Sequence, residues 1–214
     1  AFNMWDRETL LEDAVWVIRN LKPDVIVTRF PKDSRAGHGQ HSASSILAED
    51  AFVAAADPKR FPEQLKFVEV WQAKRLLWNL SSWAFRDPAE FEKIKPTLLE
   101  LNIGGYNALQ GKSYGEISAE SRSMHKSQGF GSTGSRGVIN DYFQHTLGAP
   151  AKSDLFEGIN TSWSRVANSS KVQKSIEKAI ASFNAANPSL VVPDLLVARK
   201  ELSQLPAGFW KTQK

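Results

Sequence analysis

Two of the four histidines, His38 and His41, stand three residues apart in Gly37-His38-Gly39-Gln40-His41. Imidazole is the commonest protein ligand for zinc, and it also carries protons near neutral pH. A pair at this spacing can put both rings on one metal. It can also divide the work, one ring binding metal and the other handling protons. Gly37 and Gly39 let the backbone bend and pass close to a substrate. Two exposed loop histidines with no such role are the plain alternative. There is no His-Glu-x-x-His and no His-x-Asp pair. Asp33 is near in sequence, yet the loop offers no convincing third ligand. No cysteine is present, so thiolate sites and disulfides are excluded, and a metal would rest on His, Asp or Glu.

The elements around the pair give it a position. Leu10, Ala14, Val17, Ile18 and Leu21 recur at helical spacing, which predicts a helix over about 6–21, broken by Lys22-Pro23-Asp24. Val25-Ile26-Val27-Thr28 then reads as a strand buried on both faces. Residues 29–41 form a polar loop, and Ser42 to Ala56 a second helix with Ala43, Ile46, Leu47, Ala51 and Ala54 on one side. Helix, tight loop and apolar strand in this order predict an α/β domain with a parallel sheet. Ligands bind outside the carboxyl ends of strands in such sheets, and the histidine loop follows one.

Further on, Lys66–Val70, Arg75–Trp78 and Gly137–Phe143 read as strands. Pro88–Leu101, interrupted by Pro96, and Glu116–Ser127 read as helices. After about Pro150 the composition turns helical, with Val172, Ile176, Ala179, Ile180 and Phe183 in helical register and a helix from Pro193 through Leu202. Leu190–Val192 is the one strand candidate there. This divides the chain into a domain over 1–150 and a helical extension over 151–214.

Hydrophobic residues make up 42% and charged residues 23%, the balance of a globular chain long enough to bury a core. No apolar run approaches the roughly 18 residues of a membrane span. The net charge of +4 is spread without a block of like charges, which predicts a solvated surface and no nucleic-acid partner. Gly129-Phe130-Gly131-Ser132-Thr133-Gly134 matches G-x-G-x-x-G literally, but it follows a helix rather than a strand, so no dinucleotide site is expected. Seven tryptophans raise carbohydrate stacking; Trp16, Trp71 and Trp78 sit in periodic apolar settings and are expected in the core.

Four motifs in order resemble the PIG-L/LmbE-like deacetylases, a family of zinc-dependent N-acetylglucosaminyl deacetylases. They are Val25–Phe30 with Gly37–His41, the strand region Trp71–Trp78, Ser121–Gln128, and Asp154–Trp163. The last is similar to the start of a helical extension in long bacterial members. The resemblance implies a Rossmann-like three-layer domain with a mostly parallel sheet, a zinc cofactor, and an acetylated amino-sugar substrate. It implies that His41 is a metal ligand. It makes His38 catalytic, as the acid that protonates the leaving amine or as a donor to the oxyanion. Arg35, His125 and Gln128 become candidate substrate contacts, and Arg29, which flanks the loop with Arg35, could likewise meet a phosphate or sugar. The family pattern is His-Pro-Asp-His; here Gly39-Gln40 replaces Pro-Asp, and Gln40 supplies no negative charge to His38. The other ligands and the general base belong to an early Ala-His-Pro-Asp-Asp motif, which is not found among these residues. The expectation is therefore a part of the domain that begins downstream of that motif, inactive alone and with an incomplete zinc site. A sheet edge left open would invite self-association. No targeting signal is visible, and a periplasmic or secreted parent is compatible with the sequence. The competing reading is a non-catalytic sugar- or protein-binding module of the same fold.

Overall fold

The computed structural model describes residues 1–213, and these divide into two compact units. The first comprises residues 1–105 and 113–159. Its opening helix, α1 (Arg7–Leu21), starts where Asp6 caps the first turn by accepting from the Glu8 amide. It ends where Lys22 turns left-handed at φ 47° ahead of Pro23. Strand β1 (Val25–Thr28) follows, then a 3-10 turn over Ser34–Ala36, then α2 (Gly39–Ala54). After it come β2 (Arg75–Leu80), α3 (Pro88–Ile94) and β3 (Leu99–Asn102). Residues 106–112 belong to the second unit and carry β4 (Tyr106–Asn107), which pairs with β5 (Lys112–Ser113). Helix α4 (Tyr114–Ser123) and strand β6 (Asn140–Gly148) complete the first unit.

The main sheet has the order β1-β2-β6-β3. β1 and β2 run parallel, with Ile26 opposite Leu76. β6 is antiparallel to both β2 and β3. The domain is α/β, with a mixed sheet rather than a mostly parallel one. Side-chain periodicity marks a strand but carries no sign of its direction, so the reversal at β6 left no trace in the pattern.

β2 is the central element, buried along almost all its length. On one face Leu76 meets Phe52 and Ala73, while Trp78 and Leu80 meet Phe91 of α3. On the other face Leu77 packs with Leu99 and Phe143. Leu11, Val15 and Ile18 of α1 pack on Ala51, Ala54 and Ala55. The buried stripe of α1 is thus offset from the set expected: Val17 and Leu21 are exposed and Arg19 is fully buried. Gly148 ends β6 at φ 80°, and a side chain there would run into the Lys74 carbonyl and the Phe52 ring. A glycine is required at that crossing.

Several elements differ from the sequence expectation. β1, expected buried on both faces, is an edge strand with Val27 exposed, the helix expected over Glu116–Ser127 is Tyr114–Ser123, and the strand expected over Gly137–Phe143 is Asn140–Gly148. Residues 66–70 form no strand: Pro62–Lys66 is a 3-10 turn, and Val68 N–H donates to the Gln64 carbonyl. The helix at Pro88 ends at Ile94, because Pro96 carries no N–H to continue it, and Leu99–Asn102 becomes a strand instead. Pro188–Val191 is a 3-10 turn rather than a strand.

The second unit comprises residues 106–112 and the chain from 160 onward. It is helical, with α5 (Ser170–Ala181), α6 (Val192–Ser203) and α7 (Phe209–Gln213). α5 and α6 pair through Ser175 with Glu201 and Lys178 with Asp194. No described helix is long and apolar enough to cross a membrane.

Candidate functional site

The histidine loop leaves the carboxyl end of β1. Asp33 opens the 3-10 turn by accepting from the Arg35 amide and guanidinium. That pairing holds the Asp33 carboxyl below its ordinary range. The turn buries Ala36, and Gly37 reverses the chain at φ 78°. His38 is then the N-cap of α2, extended and exposed, with no side-chain capping bond. His41 lies one turn later and is half-buried.

His41 is held on two sides. Its Nδ1 lies 3.1 Å from the Ala36 carbonyl oxygen, which is a partner only for an Nδ1–H. That tautomer leaves the Nε2 lone pair free to bind a cation. Its ring also stacks on Phe30, centroids 3.8 Å apart and nearly parallel at 5°. Phe30 is tied to α2 in turn, because Ser45 Oγ donates to its carbonyl. The His38 ring stands edge-on to His41, centroids 5.2 Å apart.

The two histidines are therefore adjacent, and His41 has the posture of a ligand. Two imidazoles are fewer than the three protein ligands of a catalytic zinc. Among the described residues no group of three His, Cys, Asp or Glu could hold a metal ion. These residues alone do not make a zinc centre.

The other candidates fall in three places. Arg35 borders a cleft of about 280 Å³ with Thr28, Phe30, Trp78 and His145. Its guanidinium pairs with Asp33 at 2.7 Å and lies over the rings of Trp78 and Phe85. His125 is exposed at the start of a 3-10 turn, beside the Phe130 ring. Gln128 is exposed in the same turn.

Sequence reasoning missed one residue next to the histidines, Trp83, while Arg29 was already a candidate contact. Trp83, in a 3-10 turn just after β2, lies 5.8 Å from the Phe30 ring. Arg29 has its guanidinium 5.4 Å from the Trp83 ring centre. The one signal for Trp83 was its place just after the second of the parallel strands. Trp78, by contrast, is buried as expected, with its indole N–H on the Arg29 carbonyl at 3.3 Å.

A scan of protein-family models and searches of curated proteins and of solved structures found no match to this chain.

Proposed function

We propose that this chain is the histidine-bearing part of a zinc-dependent hydrolase that removes the acetyl group from an N-acetylglucosamine-type sugar conjugate. The observation that carries the reading is the posture of His41. Its Nδ1 faces a carbonyl, its ring is stacked in place, and it sits at the carboxyl end of a parallel strand. Zinc held there would supply polarisation of the acetyl carbonyl. His41 would hold it through Nε2. His38, exposed beside it, delivers a proton to the leaving amine. Arg35, His125 and Gln128 remain the candidates for substrate contact. The further ligands and the general base come from residues other than these 214. They belong on a strand paired with the free edge of β1, within a Rossmann-like three-layer domain of which this sheet is part. A non-catalytic sugar- or protein-binding module is the second reading, favoured by Gln40, which brings no charge to His38.

The test is a zinc titration of the chain followed by histidine ¹⁵N shifts. His41 should respond before His125 and His145, with weak affinity and no acetate release from acetylated amino sugars. His41→Ala should abolish that response; His38→Ala should spare it, and in the complete protein should slow turnover. Stoichiometric zinc kept through dialysis would overturn the partial-site reading. Equal loss in both variants would overturn the division of roles. No response at His41 would leave the binding module.

A further inference from the structure

Three cations border the carboxyl ends of β1 and β2. Two are neutralised inside the chain: Lys32 by Glu49 at 2.9 Å and Arg35 by Asp33 at 2.7 Å. Arg29 is held differently. Its guanidinium donates to the Asn79 carbonyl and side-chain oxygens and to Ser81 Oγ, all of them neutral. Among the described residues none of its hydrogen-bond partners is a carboxylate. These contacts fix its position and leave its charge uncompensated, which is preorganisation for an anion.

Trp83 is the second half of the arrangement. It is 44% exposed, although its neighbour Ala84 is buried. The nearby core is filled by Trp78, Leu80, Ala84 and Phe91 and does not use the Trp83 ring. The ring joins the histidines through Phe30, which touches Trp83 on one side and His41 on the other. An exposed indole beside an anchored guanidinium offers an apolar face and a hydrogen-bonding fork together.

We propose that Trp83 and Arg29 form a platform for an acidic sugar next to His38 and His41. The indole takes the apolar face of a pyranose ring. The guanidinium takes an anionic substituent, phosphate or carboxylate, on the same sugar. The proposal rests on the histidine loop being a substrate site and specifies what that site selects.

The experiment is an NMR titration of the chain with N-acetylglucosamine, N-acetylglucosamine 6-phosphate and N-acetylmuramic acid. At least one acidic sugar should bind more tightly than the neutral one, and which does so names the anion. Arg29→Gln should weaken the acidic sugars by roughly tenfold, the worth of a charged hydrogen bond, and leave the neutral sugar unchanged. Trp83→Ala should weaken all three several-fold, and Trp83→Phe should restore part of the loss. Equal affinity for neutral and acidic sugars would overturn the proposal. So would unchanged binding in both variants, or equally tight binding of inorganic phosphate alone. His41→Ala separates this proposal from the deacetylase reading. It should lose the zinc response and keep sugar binding. Sugar binding without any zinc response at His41 sinks only the deacetylase; a zinc response without sugar binding sinks only the platform.

Discussion

Glu116 serves two neighbours from the first turn of α4. Its Oε2 accepts from the Ser113 amide at 2.9 Å and from Ser113 Oγ at 3.1 Å, while Ser113 Oγ accepts from the Glu116 amide. This is a capping box. Its Oε1 accepts from the Arg136 guanidinium at 2.8 Å. The Arg136 bond first, then the Ser113 bonds, pull the carboxyl down to about 2. A depressed carboxyl stabilises the fold above its unfolded value of 4.5, and that contribution is lost as pH falls toward 2. Thermal unfolding of wild type and Glu116→Gln should therefore differ at pH 7 and converge by about pH 2. A gap that stays constant with pH would assign the effect to packing. The Ser-x-x-Glu spacing was readable in the sequence, yet the helix was read from Glu116 because the cap was not used. Arg136 was beyond reach, since nothing local links it to Glu116. The same limit applies at the histidines. Their place after β1 followed from the order of elements. The grip of Ala36 and Phe30 on His41 depends on a 3-10 turn that leaves no periodic signature.

Two buried arginines lock separate elements together. Arg19, fully buried in α1, donates to the carbonyls of Ala54, Ala55, Asp57, Phe61 and Arg60 and to Gln64 Oε1. Two of these carbonyls, Ala54 and Ala55, lie at the carboxyl end of α2 and also accept from the Asp57 and Trp71 amides, so the guanidinium ties that helix end to the loop after it. Arg75, 1% exposed, does the same for the backbone at Ala149, Leu155 and Glu157. Arg19→Met keeps the buried stem but removes six hydrogen bonds from the buried guanidinium, so it should cost about 3 kcal/mol or more in urea unfolding. The exposed Arg7→Ala, which breaks a surface pair with Asp50, should cost under about 1 kcal/mol. Similar losses in the two variants would remove the clamp. The helices α1 and α2 were legible because one buried face sets the spacing of their apolar residues, and β1 and β2 because each is a short, continuous apolar run. Arg19 was not, because a charge on a helix ordinarily reads as solvent-facing. Its burial is decided by carbonyls more than thirty residues away.

At the scale of the whole first unit, the sheet has two edge strands, β1 and β3, and β1 is the one beside the histidines. It pairs with β2 on one side only, and Val27 is 45% exposed in the middle of it. An edge strand with unpaired N–H and C=O groups and an exposed β-branched residue is a template for another strand. Lys32, Arg35, Asp33 and Glu49 follow it in sequence or space, but none lies within the strand to guard it. Light scattering across a concentration series should show mass rising above that of one chain. Val27→Lys places a charge on the strand, the usual protection of natural edges, and should restore the single-chain mass. The substitution leaves β1's backbone pairing with β2 and the Phe30–His41 stack in place, so the zinc response of His41 should persist in the single-chain form. A wild-type chain that keeps one mass at every concentration would show that β1 is shielded in solution. A variant that associates as strongly as wild type would move the contact elsewhere. Association lost together with the zinc response would instead mean that a second copy's β1 helps to shape the histidine site.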